Sequence, residues 1–470
     1  MKKKLVIDLS ANTLQLVINQ LFGVIIFYVL SVNLDKNSFG QVNLALAVLL
    51  SAFNILSFGI DQVIIKKVAH GDDVQTVLSL YAFHVLFAGG LFYGILLLGR
   101  TFFIHDNEVY RLMLLLGLGK LMIFFSTPLK QVSSGMERFK LLACMLVISN
   151  MVRGISLLIL AVLHQVSIGT IIWVFIGGDV LELTASFYLF RRYVRVPVLP
   201  AWRKSPYFAL LRQSLPQVGV VLITSALARF DWLFIGFMVS AVSLAEYSFA
   251  YKIFEISTLP LLAIAPLILP RFTKLFKTDN HRRADLKLLI RIELIIAAFT
   301  ALILNMCWNP VVDNITHGRY GAVNTTTIFI LSLCLPLLYL NNFLWTIFFA
   351  QNRLKMIFNS FLLTFAVNVV GDLVLIPFYK NEGAALAFLL ACLVQGVFYL
   401  ANDKSGLKGS FYTLAICTAC AFFSGLAAKA LFPNLWLAAI MAVVFYGVSL
   451  LITMQLKRDD RAGLIGLLNW

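Results

Sequence analysis

Long apolar runs separated by short polar segments recur along the whole sequence. Each run has about the 20 residues that a helix needs to cross a bilayer. Helices are expected, because a segment inside a bilayer must pair its own backbone groups and the alternating pattern of membrane strands is absent. The runs predict fourteen spans, near residues 10–32, 40–63, 74–99, 109–129, 141–163, 169–190, 214–237, 244–270, 286–308, 323–349, 357–378, 383–401, 411–431 and 435–456.

The composition of the 470 residues agrees with this pattern and narrows the function. Hydrophobic residues make up 60% of the chain and charged residues 13%, against about a quarter charged in soluble domains. This excludes a disordered chain and argues against a soluble enzyme. The six cysteines lie in apolar runs, so no metal site is expected. The patterns G-x-x-x-x-G-K-[ST], H-E-x-x-H and G-x-S-x-G are absent, and we therefore predict no cofactor and no catalytic residues.

The net charge of +16 follows from topology. With the N-terminus on the cytoplasmic side, most of the 38 Lys and Arg residues lie in cytoplasmic segments and only a few lie in outside loops. Such an excess of cations inside is typical of multi-pass membrane proteins. We expect both termini to be cytoplasmic, and a nucleic-acid partner is not needed to explain the charge.

A weak internal repeat divides the chain. The segment from Gly135 to Lys140 and the segment from Ala350 to Lys355 share a small-x-x-Arg-x-Lys pattern at corresponding places. Six helices per half would relate the halves by a pseudo-two-fold axis along the membrane normal. The predicted organisation is an N-terminal six-helix bundle at 1–190, a cytoplasmic linker at 191–213, a C-terminal six-helix bundle at 214–401, and two further helices with a cytoplasmic tail at 402–470.

Several degenerate motifs carry a family resemblance. They are Asn37-Ser-Phe-Gly40, Ser214-Leu-Pro216, Arg229-Phe-Asp231, the segment from Ala245 to Lys252, and Asn368 with Ile376-Pro377 and Glu382-Gly-Ala-Ala385. With these motifs and the twelve-plus-two helix count, the chain resembles Wzx-type polysaccharide flippases of the MOP exporter superfamily. The resemblance implies an all-α, MATE-like fold in the bacterial cytoplasmic (inner) membrane. It also implies export of an undecaprenyl-diphosphate-linked oligosaccharide from the inner to the outer leaflet, alongside other polysaccharide-assembly proteins.

Charged residues inside predicted spans are the first candidates for function. Each costs about 2.5–3.5 kcal/mol at a helix centre, so each is expected to face a cavity or a partner. The candidates for a cationic, substrate-binding cavity are Lys120, Arg153, Arg229 and Lys252. Arginine binds phosphate with two parallel hydrogen bonds, which suits a diphosphate head group. The alternative is salt bridges between helices, with Asp179 and Glu182 as partners for Lys120 or Arg153.

Polar and acidic residues give two further sets of candidates. Residues expected to line the polar face of the lumen are Asn12, Gln15, Asn19, Asn54, Tyr247 and Tyr251. Candidates for coupling to H⁺ or Na⁺ are Asp61, Asp179 and Asp372. Hydrogen bonds and salt bridges between helices are the alternative for both sets.

Four other functions stay open at this stage. A MATE-type multidrug exporter would favour acidic residues in the cavity, and a lipid II flippase would differ only in substrate. A membrane glycosyltransferase or polymerase usually needs larger loops than this sequence has. A structural or assembly subunit would tolerate neutralisation of Arg153 and Arg229.

Overall fold

The computed structural model describes residues 2–99, 106–261 and 283–456, with side chains from Leu14 onward except at 224, 226–228 and 283–285. Over these residues the secondary structure is helical, without strands. The first helices are α1 (Lys2–Asn33), α2 (Lys36–Leu56), α3 (Ile60–His70), α4 (Val74–Leu98), α5 (Asn107–Gly135), α6 (Phe139–Val162) and α7 (Ile168–Tyr193). The later helices are α8 (Lys204–Met238), α9 (Ala241–Ser257), α10 (Arg283–Ile315), α11 (Thr325–Ala350), α12 (Leu354–Ala401), α13 (Ser410–Leu431) and α14 (Leu435–Ile452).

Eleven helices in the described part of the chain are long and apolar enough to cross a membrane. Each of the fourteen predicted spans overlaps at least one of the helices α1 to α14. The spans at 357–378 and 383–401 both lie in α12, and those at 214–237 and 244–270 fall on α8 and α9. The part of the eighth span beyond residue 261 lies outside the described residues.

The predicted span 40–63 is wrong as a single helix. The helix α2 ends at Leu56, and α3 begins at Ile60 after a break at which Phe58 and Gly59 have φ of 53° and 66°. A Cβ atom on Gly59 would lie 2.5 Å from Cβ of Gln217 on α8. Gly59 therefore provides both the left-handed backbone and the close approach of α8.

The α12 helix reverses direction at Lys380, where φ is 47° and ψ is −120°. Pro377 precedes this turn, and a Cβ atom on Gly383 would lie 2.5 Å from the carbonyl oxygen of Leu375. Glycine is therefore required next to the turn, where the halves of α12 before and after Lys380 separate. Away from the turn, a Cβ atom on Gly371 would lie 2.8 Å from Cβ of Ala387, so small residues allow the two halves of α12 to pack closely.

The chain packs as two units, Met1–Ala245 and Glu246–Trp470. In the first unit, α5 packs against α2, α4 and α7, while α6 packs against α1 and α7. In the second unit, α11 packs against α10 and α12, and the pair α13 and α14 packs against α10. The domain boundaries at 190, 213 and 401 were predicted from the internal repeat, which is a different criterion, and they stay a prediction.

Candidate functional site

A cluster of five buried charges lies among α5, α6 and α7. Its members are 1–7% exposed, and they are Lys120, Lys130, Arg153, Asp179 and Glu182. The Arg153 guanidinium forms an ion pair with the Asp179 carboxylate, and Lys130 forms an ion pair with Glu182. The Lys120 ammonium nitrogen lies 3.6 Å from the second oxygen of Asp179. This arrangement matches the alternative left open by the sequence, in which the cations form salt bridges between helices.

Local sequence makes room for this cluster. A Cβ atom on Gly119 would lie 2.6 Å from Oδ2 of Asp179, and one on Gly178 would lie 2.9 Å from Cγ of Arg153. The Ser149 hydroxyl donates to Oδ1 of Asp179 at 2.9 Å. The Phe175 ring lies 4.6 Å from the Arg153 guanidinium carbon, a cation–π distance. The glycines allow α5, α6 and α7 to approach, so the charges meet out of water.

The ion pair of Lys130 with Glu182 was missed by sequence reasoning. The fourth span was predicted to end at 129, which placed Lys130 in a cytoplasmic segment. In the structure α5 continues through Pro128 to Gly135. Membrane helices tolerate proline because neighbouring groups satisfy the freed carbonyl.

The other two predicted cations lie on α8 and α9. Arg229 is half-buried, and its guanidinium carbon lies 4.3 Å from the centre of the Trp232 ring. Asp231 is 7% exposed and accepts a hydrogen bond from the Trp232 backbone N–H at 2.8 Å. The Lys252 ammonium donates to Glu255 at 2.8 Å, three residues along the same helix, a spacing at which side chains pair locally. Arg229 and Lys252 are thus more accessible than Lys120 and Arg153.

The predicted polar face is divided by the structure. The Asn12 side chain lies outside the described side chains, Gln15 is 7% exposed, and Asn54 is exposed. Asn19 accepts a hydrogen bond from the Asn150 side chain at 3.1 Å, which joins α1 to α6.

The two predicted tyrosines of α9 also differ in burial. Tyr247 is fully buried, whereas Tyr251 is half-buried, with ring centres 5.9 Å apart. The buried ring of Tyr247 has no surface for a sugar to stack on. Of the pair, Tyr251 keeps a partly accessible ring.

The acidic candidates differ in their surroundings. Asp372 on α12 is fully buried and accepts a hydrogen bond from the Asn368 side chain at 2.8 Å. Asp61 lies in the first turn of α3, outside the candidate spans, and is contacted by the Tyr81 hydroxyl. Burial raises the pKa of the Asp61 carboxyl, and the hydrogen bond from Tyr81 offsets part of that rise. Asp179 is held in the charge cluster.

Comparisons with known proteins define the class of the fold. A lipid II flippase, MurJ, in an inward-closed conformation matches with a TM-score of 0.73 at 13% identity, over 95% of this chain and 98% of that one. An inward-facing multidrug resistance MATE family transporter of the MOP superfamily matches with a TM-score of 0.62 at 13% identity, over 86% and 98%. A MOP superfamily transporter from Pyrococcus furiosus matches with a TM-score of 0.52 at 14% identity, over 88% and 94%. The predicted MATE-like fold is therefore confirmed.

A sequence-family match then places the chain within that class. The profile of the polysaccharide biosynthesis protein family matches residues 5–276, and the chain belongs to this family. No curated protein sequence matches the chain. The fold and the apolar helices together describe a multi-pass membrane protein.

Proposed function

We propose that the protein is a flippase for an undecaprenyl-diphosphate-linked oligosaccharide. It moves the head group from the inner to the outer leaflet of the bacterial cytoplasmic membrane by alternating access, with both termini cytoplasmic. The observation that carries the proposal is the polysaccharide-family match over residues 5–276 on a MOP-type fold. Other polysaccharide-assembly proteins would act together with this flippase.

Charge complementarity supports an anionic substrate. The cluster around Asp179 contains three cations and two carboxylates, so it retains positive charge inside the first unit. A cation in a medium of low dielectric constant attracts a diphosphate more strongly than it would in water. Arg229 and Lys252 are accessible enough to contact the head group, whereas the buried Lys120 and Arg153 attract it electrostatically without contact.

The membrane potential supplies part of the driving force. Outward movement of a negative charge follows an inside-negative potential, which contributes about 2.3 kcal/mol per charge per 100 mV. A coupling ion would add to this. Asp372 with the Asn368 amide offers oxygen ligands for Na⁺, and Asp61 offers a carboxyl that exchanges a proton. Since Asp179 is held by Arg153, Lys120 and Ser149, we place the coupling at Asp61 or Asp372.

The charge of the cluster also separates this proposal from its alternatives. A MATE-type multidrug exporter carrying organic cations would be opposed by the surplus of cations. A lipid II flippase would use the same chemistry on a different head group, and only a substrate comparison separates the two. A glycosyltransferase or polymerase, or an assembly subunit, would not move a lipid-linked head group by itself.

Proteoliposomes containing a fluorescent undecaprenyl-diphosphate oligosaccharide test the proposal. Translocation is measured as protection of the label from an external quencher, with an imposed potential. We expect wild-type transport and at least a tenfold loss in the double variant Arg229→Ala, Lys252→Ala. The variant Arg192→Ala removes an exposed cation at the end of α7 and is expected to transport normally. Equal transport by the double variant would contradict the proposed contacts, and no wild-type transport would contradict the flippase.

A further inference from the structure

A cavity of about 330 Å³ lies within the second unit, between α10, α11 and α13. Its walls are formed by residues from 298–310, 325–333 and 418–429, with Leu435 at the start of α14. This volume is within the range of pockets that hold small organic molecules. The residues that line the cavity include none of those assigned to transport.

Most of the wall is apolar and suits a hydrocarbon chain. Phe329, Phe422 and Leu426 are 36–50% exposed along it, while Leu302 and Met306 are buried behind them. A Cβ atom on Gly425 would lie 3.1 Å from Cδ1 of Leu302, so the glycine keeps this part of the cavity open. Because α10, α11 and α13 are long and apolar enough to cross a membrane, the exposed side chains meet hydrocarbon, and an acyl chain can lie along this wall.

Polar groups are concentrated at one end of the cavity. Lys429 is exposed in the last turn of α13, and Thr325 is exposed at the start of α11. Asn309 accepts a hydrogen bond from the Thr325 hydroxyl at 3.1 Å. The residues that line the cavity include Lys429 but no carboxylate. The cavity therefore joins an apolar wall to a cationic, hydrogen-bonding rim.

We propose that this cavity binds an anionic phospholipid of the membrane. The phosphate of the head group lies at Lys429, and one acyl chain lies along Phe329, Phe422 and Leu426. Charge complementarity selects an anionic head group over a zwitterionic one, because no carboxylate at the rim would attract a choline. With the proposed orientation of the chain, this lipid belongs to the outer leaflet. The proposal does not depend on which molecule the protein transports.

Native mass spectrometry of the full-length chain in detergent micelles tests this site. The protein is titrated with phosphatidylglycerol and with phosphatidylcholine of identical acyl chains. We expect the first phosphatidylglycerol to bind about fivefold more tightly than the first phosphatidylcholine, a factor that corresponds to the attraction of one cation near an anionic lipid. Lys429→Gln should remove this preference, and Lys429→Arg should keep it.

A matched pair of variants tests the apolar wall. Leu426→Trp narrows the cavity and should weaken binding of both lipids at least threefold. Phe423→Trp lies on the same helix, but in the separate groove between α13 and α14, and should leave the first binding event unchanged. The same affinity ratio in wild type and Lys429→Gln, or equal effects of the two tryptophan variants, would overturn the proposal. Inorganic phosphate that competes as well as the lipid would also overturn it.

Discussion

The surplus of one cation in the cluster of α5, α6 and α7 predicts that its members respond to substitution with different signs. Asp179→Asn leaves two buried cations beside an amide of the same shape. Removing one partner of a buried ion pair costs about 3–5 kcal/mol, because the remaining charge stays desolvated. Lys120→Met removes the surplus cation instead, since Arg153 is the residue that contacts Asp179 directly. We expect this variant to stay within about 1 kcal/mol of the wild type.

The double variant Asp179→Asn, Lys120→Met provides the cycle that tests this reasoning. It returns the cluster to the wild-type surplus of one cation and should recover part of the loss caused by Asp179→Asn. The matched control is Glu108→Gln on α5, which breaks an exposed pair with Arg111 at 3.7 Å. Side chains that are 55% and 64% exposed predict a change of about 0.5 kcal/mol or less for this control.

The free energy of unfolding is measured in mixed micelles by titration with a denaturing detergent, with circular dichroism as the signal. A loss below about 1 kcal/mol for Asp179→Asn would refute the assignment of a desolvated ion pair. A loss for Lys120→Met as large as that for Asp179→Asn would refute the charge count. Transport by each variant should be measured on the same samples, since a stable but inactive Lys120→Met would assign that lysine to the substrate field.

Three further predictions concern the ion, the break before α3 and a helix cap. If Na⁺ is the coupling ion, Asp372→Asn should abolish the dependence of transport on a Na⁺ gradient; an unchanged dependence would move the site elsewhere. Gly59→Ala should cost about 2–4 kcal/mol in unfolding free energy from strain and collision, whereas Gly71→Ala, with positive φ but nothing within 4 Å, should cost only about 1–2 kcal/mol. Hydrogen bonds from the Ser38 hydroxyl and backbone N–H lower the pKa of Asp35, which caps α2. Asp35→Ala should lower the free energy of unfolding by about 1 kcal/mol at pH 7. The contribution of this cap should be present above pH 3.8 and lost as the pH falls through the lowered folded-state pKa of Asp35. A difference between wild type and variant that does not change with pH would contradict the cap.

The long apolar runs were sufficient to predict where the helices lie, because length and apolar content decide whether a segment crosses a bilayer. They could not show that α5 continues through Pro128, since neighbouring helices decide whether a proline is tolerated. They also could not show the break at Phe58 and Gly59, where the close approach of α8 is a tertiary constraint. Helix breaks therefore depended on contacts between segments distant in the sequence.

Burial of charge was predicted more accurately than the partner of each charge. Sequence reasoning identified Lys120, Arg153 and Asp179 as residues inside the bundle and left their pairing open. Which cation meets Asp179 depends on the rotation of α5, α6 and α7 and on the close approach that Gly119 and Gly178 allow. The local pair of Lys252 with Glu255 was predictable, because both residues lie on one helix at a fixed spacing.

Substrate selection in proteoliposomes is the most direct test of the proposed flippase function. Head-group translocation would be measured for an undecaprenyl-diphosphate oligosaccharide, for lipid II and for an organic cation, at equal concentration and with the same imposed potential. We predict that the oligosaccharide is moved at least tenfold faster than the other two. Preferential transport of lipid II would contradict the proposed substrate, and transport of the cation alone would contradict a cationic translocation path.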